Sequence, residues 1–264
     1  MQLNYKYLEE LLLETMKVAS KAILEIYEQS DLEVHLKKDK SPLTCADITS
    51  NEVIIQALSE TQLPIFSEES EHVSYQERME WDAYWLIDPL DGTREFIQRS
   101  GEFTINIALI EQNTPTLGAV CIPTEQVTYI GGTSLGYTKK YYKHEVFETK
   151  PRLTTHFEDL FAYDQLKTVA SKSDNHQGLS DFVNRTPSNT IHFKGSSLKF
   201  MALVDHEADI YPRFTPCMEW DTAASDAILR SVGRSILALD KHNLPTGRIE
   251  YNKEDLYQPP FVAF

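Results

Sequence analysis

The chain has 264 residues, with 25 Lys plus Arg against 40 Asp plus Glu, a formal charge of −15, and 41% hydrophobic residues. So much excess acid repels extended polyanions, which excludes a nucleic acid polymer as partner, while the apolar share is ample for a folded core. No apolar run approaches the ~20 residues that span a bilayer, and Glu9, Glu10 and Glu14 stand where a signal peptide needs its basic flank and apolar block, so the expected location is the cytoplasm. Cys45, Cys121 and Cys217 lie far apart with no CxxC, which argues against a disulfide framework or a cysteine zinc site.

In chain order, Leu8, Leu11, Leu12, Thr15, Ala19, Ala22, Ile23 and Ile26 recur at three- and four-residue intervals, predicting an amphipathic helix from about Leu3 to Gln29. Leu32 to Lys40 alternates apolar and charged residues, as a half-exposed strand does, and Ser41-Pro42 turns the chain. Asp47 precedes a second helical pattern, Ile48 to Glu60, and its structural role is to cap that helix. Leu63 to Phe66 is a short apolar strand running into Ser67-Glu68-Glu69-Ser70, which alone reads as a solvated turn. Glu71 to Glu80 reads as a polar surface connection.

The run Ala83 to Ile87 stops at Asp88-Pro89-Leu90-Asp91-Gly92-Thr93. That reads as a buried strand delivering two carboxylates into a tight turn, with the Leu90 carbonyl between them and Gly92 freeing the backbone. Taken alone, the stretch suits an ordinary polar turn as well as a metal site. Phe103 to Ile110, Thr116 to Pro123, Val127 to Gly131 and Leu135 to Tyr142 follow as strands separated by turn residues, an antiparallel meander. Gly131, Gly132 and Gly136 do not form GxGxxG, so no dinucleotide site is indicated.

After about Lys150 the rhythm becomes strand (Leu166 to Ala170), helix (Asn175 to Val183), strand (Thr190 to Phe193), helix (Ser196 to Asp205), strand (Ala208 to Tyr211), helix (Trp220 to Ser231) and a last strand (Ser235 to Leu239). Such alternation points to a more α/β-like second half. The expected organisation is one compact unit in two halves. Residues 1–150 form an α+β half with the antiparallel sheet and most of the metal ligands, and residues 151–264 an α/β half with the substrate pocket and the last ligand.

Acidic residues follow short apolar strands at Glu68-Glu69, Asp88 and Asp91, and Asp221 opens a helix in Trp220-Asp221-Thr222-Ala223-Ala224. Each has a bland explanation. Together, with a backbone carbonyl and neither cysteine clusters nor HExxH, they describe a hard-oxygen site suited to Mg²⁺.

Ser67-Glu68-Glu69-Ser70, Asp88-Pro89-Leu90-Asp91-Gly92-Thr93 and Trp220-Asp221-Thr222-Ala223-Ala224, in this order and spacing, resemble the inositol monophosphatase superfamily of Mg²⁺-dependent, lithium-sensitive phosphatases. Gly195-Ser196-Ser197-Leu198-Lys199-Phe200 with Tyr211-Pro212-Arg213-Phe214 is similar to its CysQ branch, the 3'(2'),5'-bisphosphate nucleotidases. The resemblance implies a layered αβαβα sandwich, on the border of α+β and α/β. It implies two or three Mg²⁺ held by Glu68, Asp88, the Leu90 carbonyl, Asp91 and Asp221, with Glu69 assisting through water. Thr93, with Asp47 as its acceptor, would position the attacking water. Substrate contacts are implied at Glu68, Asp91, Gly92, Thr93, Arg94 and Asp221, and at Gly195, Ser196, Ser197, Lys199 and Arg213 for a second phosphate.

The activity so implied is hydrolysis of adenosine 3',5'-bisphosphate (PAP) to AMP and phosphate, with 3'-phosphoadenylyl sulfate (PAPS) as a further substrate, in sulfur metabolism. A homodimer is a further expectation, to which the sequence gives no handle, and a peripheral position at the cytoplasmic face of the inner membrane is one that the resemblance to the branch implies, although nothing amphipathic here demands a membrane. One departure stands out: where relatives read Ser-Arg-Ser-His, this chain has Ser171-Lys172-Ser173-Asp174, with His176 displaced by two. The competing readings are an inositol or sugar monophosphatase on the same scaffold and a non-catalytic metal-dependent nucleotide sensor.

Overall fold

The structure is a computed structural model and describes residues 3–29, 34–36, 42–71, 73–151, 157–171, 177–185 and 189–264. Helix α1 (Tyr5–Tyr27) is two residues shorter at each end than its periodicity predicts; it starts late because the Asn4 side chain accepts the Tyr7 amide and caps it. Leu8, Leu12, Met16, Ala19 and Ile23 form its buried stripe. A small hairpin, β1 (Val34–Leu36) with β2 (Pro42–Thr44), leads into α2 (Cys45–Leu58). The rest of the strand expected over Leu32 to Lys40 lies outside the described residues. Asp47 is not the cap of α2. Thr44 is, and Asp47 sits in the first turn with its carboxylate turned back onto Thr44.

Seven strands then build the central sheet: β3 (Ile65–Ser67), β4 (Ala83–Asp91), β5 (Thr104–Glu111), β6 (Thr114–Ile122), β7 (Val127–Gly132), β8 (Tyr137–Tyr142) and β9 (Glu145–Glu148), hydrogen-bonded in that order. Only β3 and β4 are parallel; the rest is the expected meander, extended by β9. Two short helices, α3 (Tyr75–Arg78) and α4 (Thr93–Ile97), flank β4. Side chains alternate between two cores. Trp85, Ile87, Ile105, Ile107 and Leu109 face α1 and α2, while Tyr84, Leu86, Ala108 and Ile110 face the opposite way. Each fully buried Leu or Ile contributes about 1.5–3 kcal/mol to this arrangement.

The second half runs β10 (Leu166–Ala170), α5 (Gln177–Arg185), β11 (Asn189–Phe193), α6 (Leu198–Val204), β12 (Tyr211–Arg213), β13 (Cys217–Met218), α7 (Glu219–Ser231), β14 (Ile236–Leu239), β15 (Pro245–Arg248), β16 (Tyr257–Gln258) and β17 (Phe261–Ala263). β10 and β11 pair in parallel and meet the next sheet through a bridge from Thr168 to Ile210. That sheet is antiparallel, in the order β12-β17-β14-β15, so alternation of elements did not mean an all-parallel half. Two expectations need correction. The strand placed at Ala208 to Tyr211 begins at Tyr211, and Ser235 to Leu239 is not the last strand, since β17 is inserted between β12 and β14.

Helices α6 and α7 are held between the two sheets, and α5 covers the outer face of the second. Phe261 and Ala263 point to α6 and α7, Val262 and Phe264 to the outer core, as period-two alternation requires. The result is the expected α-β-α-β-α layering. Gly118 of β6 lets α7 lie directly on the central sheet, because a Cβ there would stand 2.2 Å from the Ala224 carbonyl oxygen. That close approach brings the start of α7, with Asp221, over the end of β4. Among the described residues, no helix is long and apolar enough to cross a membrane.

Candidate metal centre and active site

Strand β4 does not end at Asp88, as expected, but runs on through Pro89 to Asp91 with a bulge. Asp88 pairs with Asn106 and Asp91 with Thr104, so three steps on β4 oppose two on β5. Residues three apart on a regular strand point to opposite faces; the extra residue turns both aspartates to one side. Pro89, which has no N–H to lose, suits the bulge. The Leu90 amide donates to Asp88 Oδ1 at 3.1 Å and Ser50 Oγ to the Pro89 carbonyl at 2.7 Å, fixing the segment.

Asp88, Asp91 and Asp221 each bring one carboxylate oxygen within 4.8 Å of the other two. Asp91 Oδ2 accepts from Ser196 Oγ at 2.6 Å and Ser197 Oγ at 3.3 Å, with Thr104 Oγ1 and Asn106 Nδ2 both at 3.5 Å. Asp221 sits in the first turn of α7, where its Oδ2 accepts the Met218 amide at 2.8 Å. Glu68 follows β3, its amide donating to the Ile87 carbonyl at 3.1 Å, which sets it beside Asp88. It stands outside the close trio, yet its charge acts on both Asp88 and Asp221. Glu69 is half-buried next to it, with its amide 3.4 Å from Ser67 Oγ.

Burial, reinforced by Glu68, Asp91 and Asp221, holds the Asp88 carboxyl well above the usual carboxylate range. Asp221 is pushed up to about 7 by burial and by Asp91, with Arg213 pulling the other way. Buried like charges of this kind are unfavourable until something positive joins them. All-carboxylate oxygen donors plus a nearby carbonyl fit a hard divalent cation of the Mg²⁺ type.

These raised values set a pH dependence. A carboxyl whose folded pKa exceeds its unfolded value stabilises the metal-free fold fully below about pH 4 and loses that contribution as the pH rises through the folded value. For Asp221 the loss begins at about pH 4 and is complete once the pH has passed about 7. A divalent cation replaces the proton above that, so the rise in Tm on adding Mg²⁺ should grow from about pH 5 to about pH 8. Thermal unfolding with and without Mg²⁺ at both pH values measures this, and equal increments would contradict it.

On the far side of the bulge, Gly92 is left-handed (φ +93°) and starts α4. A Cβ there would also stand 3.2 Å from the Glu102 carbonyl and 3.3 Å from Ser196 Cβ. Thr93 Oγ1 donates to Asp47 Oδ1 at 3.0 Å and lies 3.4 Å from the Leu90 carbonyl. Asp47 Oδ2 is held by the Thr44 amide at 2.7 Å and Thr44 Oγ1 at 2.6 Å, so the buried carboxylate has a fixed orientation toward Thr93. Arg94 is exposed on α4.

The Gly195-Ser196-Ser197 stretch closes over Asp91. Ser196 is left-handed (φ +46°), and its hydroxyl bridges Asp91 and Thr104. Lys199 is not on a solvated helix face: it is 3% exposed, donates to the Ser196 carbonyl at 2.6 Å, and is brought down to about 8 by burial and the nearby Arg213. Arg213 is half-buried and donates to the Thr215 and Pro216 carbonyls and to Tyr211 Oη. Of the Ser171-Asp174 departure and His176, residues 172–176 lie outside the described residues.

Sequence reasoning missed Thr104 and Asn106, which line the Asp91 side of the cluster. Their signal was two polar residues alternating with Ile105 and Ile107 in an otherwise apolar central strand.

The arrangement can be compared with known proteins. A family model described as the inositol monophosphatase family matches residues 4–258. The 3'(2'),5'-bisphosphate nucleotidase CysQ of Salmonella typhimurium is 34% identical over 248 residues, covering 92% of this chain and 93% of that protein. The crystal structure of CysQ from Bacteroides thetaiotaomicron, a bacterial member of the family, superposes with a TM-score of 0.82 at 31% identity, over 99% of this chain and 98% of that one. An IMPase/NADP phosphatase complexed with Mg²⁺ and phosphate shares the fold, with a TM-score of 0.71 at 15% identity over 98% of this chain and 90% of that one. A carboxylate trio on a bulged strand and a helix start, within a match that spans nearly the whole length, places the chain: it belongs to the inositol monophosphatase family.

Proposed function

We propose that the chain is a Mg²⁺-dependent phosphatase that hydrolyses the 3'-phosphate of PAP to AMP and phosphate, with PAPS as a second substrate yielding adenylyl sulfate, in sulfur assimilation and nucleotide recycling. The observation that carries this reading is the Asp88, Asp91 and Asp221 trio together with the Thr93–Asp47 hydrogen bond, whose Thr93 hydroxyl lies 3.4 Å from the Leu90 carbonyl between Asp88 and Asp91 in the chain. The likeness to CysQ relatives over most of the chain supports the choice of nucleotide.

Two or three Mg²⁺ ions would be held by Glu68, Asp88, the Leu90 carbonyl, Asp91 and Asp221. When bound they would make water more acidic and offset the charge of the phosphate and of the departing alkoxide. Thr93 has one hydroxyl proton, and Asp47 accepts it. The Thr93 lone pairs are thereby left to receive a proton from the attacking water, with Asp47 as the final acceptor. Amides of the first turn at Gly92 and Thr93 would hold the phosphate under attack. Arg94 lies beside them, and Glu69 acts through water. Ser196, Ser197, Lys199 and Arg213, with Gly195, would receive the 5'-phosphate.

One observation favours the inositol or sugar monophosphatase alternative: Lys199 and Arg213 already have acceptors within the protein. A phosphate-release assay discriminates the two. With Mg²⁺, PAP should be hydrolysed much faster than inositol 1-phosphate or fructose bisphosphate, and chelation should stop all release. A faster rate with inositol 1-phosphate would overturn the nucleotide assignment, and release that survives chelation would overturn the metal assignment.

A further inference from the structure

We infer that Arg78 is a positioning residue that fixes the Glu68 end of β3 relative to the Asp221 end of α7. The inference rests on the reading of those two carboxylates as divalent-cation ligands. Arg78 belongs to a polar stretch whose sequence predicts a surface connection, yet it is 2% exposed. Its guanidinium carbon stands 5.0 Å from the centre of the Phe66 ring, and Phe66 lies on β3 two residues before Glu68, which follows that strand. Its fork reaches the other way. Nη1 donates to Asn252 Oδ1 at 3.0 Å and Nη2 to the Lys253 carbonyl at 3.1 Å, while Asn252 Nδ2 returns a bond to the Arg78 carbonyl at 3.0 Å.

The same two residues grip the first turn of α7. The Asn252 amide donates to Glu219 Oε2 at 2.7 Å, and the Lys253 amide and Nζ donate to Glu219 Oε1 at 3.0 and 2.7 Å. Glu219 is fully buried and stands two residues before Asp221. Trp220, between them, meets the Phe66 ring edge-on with centroids 6.0 Å apart. The contacts therefore close a ring, from Phe66 through Arg78, residues 252–253 and Glu219 to Trp220 and back.

Stability alone is a poor reason for this cation. Among the described residues no carboxylate lies within ion-pair distance of Arg78, and a buried guanidinium held by neutral acceptors and by the Phe66 and Tyr75 ring faces is costly compared with an apolar side chain. What the guanidinium supplies is a rigid planar fork with fixed donor directions, which an ammonium cannot reproduce. Groups of this kind, one layer behind metal ligands, set the ligands' geometry and hence their affinity.

The test is calorimetric titration of the full chain with Mg²⁺ in the absence of substrate. Arg78→Lys and Arg78→Met are expected to weaken Mg²⁺ binding about tenfold, with the Mg²⁺ concentration for half-maximal turnover rising in step and kcat at saturating Mg²⁺ changing little. Leu12→Ala, a core deletion in α1 on the other side of the sheet, controls for lost stability and should bind Mg²⁺ as the unsubstituted chain does. If the Arg78 variants bind Mg²⁺ like the unsubstituted chain, or lose no more than Leu12→Ala, the inference is overturned while the metal reading stands. If the unsubstituted chain itself does not bind Mg²⁺, the metal reading falls and the inference with it. Should Arg78→Met fail to fold, Arg78→Lys and Asn252→Ala carry the same comparison.

Discussion

Asp91→Asn is expected to abolish phosphate release, lowering kcat by about a thousandfold or more, the equivalent of ~4 kcal/mol of lost charge stabilisation. Asp91 is the member of the trio that also gathers Ser196, Ser197, Thr104 and Asn106 around one oxygen. An amide in its place removes a negative charge from the metal ligands and sets an NH₂ group against donors. The substitution also lessens repulsion on Asp88 and Asp221, both of which Asp91 pushes upward. Its Tm without Mg²⁺ should therefore equal or exceed that of the unsubstituted chain, so that loss of turnover is not loss of fold. Phosphate release and thermal unfolding, measured on the same preparation, check both halves; retained turnover, or a collapsed Tm, would contradict this account.

Thr93→Ala should be nearly as severe for turnover, with kcat down about 10²–10⁴-fold, but should leave Mg²⁺ binding within about twofold, since the Thr93 hydroxyl only brushes the Leu90 carbonyl at 3.4 Å. Thr93→Ser keeps the hydroxyl and should recover much of the rate. Asp47→Asn would resemble Thr93→Ala in kcat and cost about 1 kcal/mol of stability as well, because the same carboxylate closes the start of α2 through Thr44. Stopped-time phosphate assays together with Mg²⁺ titration separate these cases. A Thr93→Ala enzyme that turns over normally would remove Thr93 from the proton path.

The central meander and α1 were legible because their signals are local. Asn113-Thr114-Pro115 and Gly131-Gly132 punctuate strands whose apolar residues alternate, and α1 repeats its leucines at helical spacing. The acidic stations at Glu68-Glu69 and Asp88 were legible for the same reason, each ending a short apolar run, and Asp221 by its place at a helix start. The bulge that makes Asp88 and Asp91 neighbours was not, because a bulge is a property of two strands and only β5 reveals the extra residue. Strand β17 is three residues long and pairs with partners about 25 and 50 positions earlier, so nothing near it announces the central strand of a sheet. The burial of Lys199 was also open to a local reading. Its helix, Leu198–Val204, is apolar at every other position, and a helix apolar all round is buried, whatever a single lysine on it suggests.

The bulge between Asp88 and Asp91 makes the chemistry sensitive to chain length as well as to composition. Adding one residue to β5 between Thr104 and Asn106 would let β4 pair with β5 in unbroken register, leave every acidic residue in the sequence, and put Asp91, three residues from Asp88 on a regular strand, on the opposite face, so that the trio could no longer converge. A chain lengthened by that one residue would still present all its carboxylates to anyone counting motifs, and it would be silent as an enzyme: here the mismatch of residues in the ladder, not an amino acid, is the unit that distinguishes a working phosphatase from an inert relative.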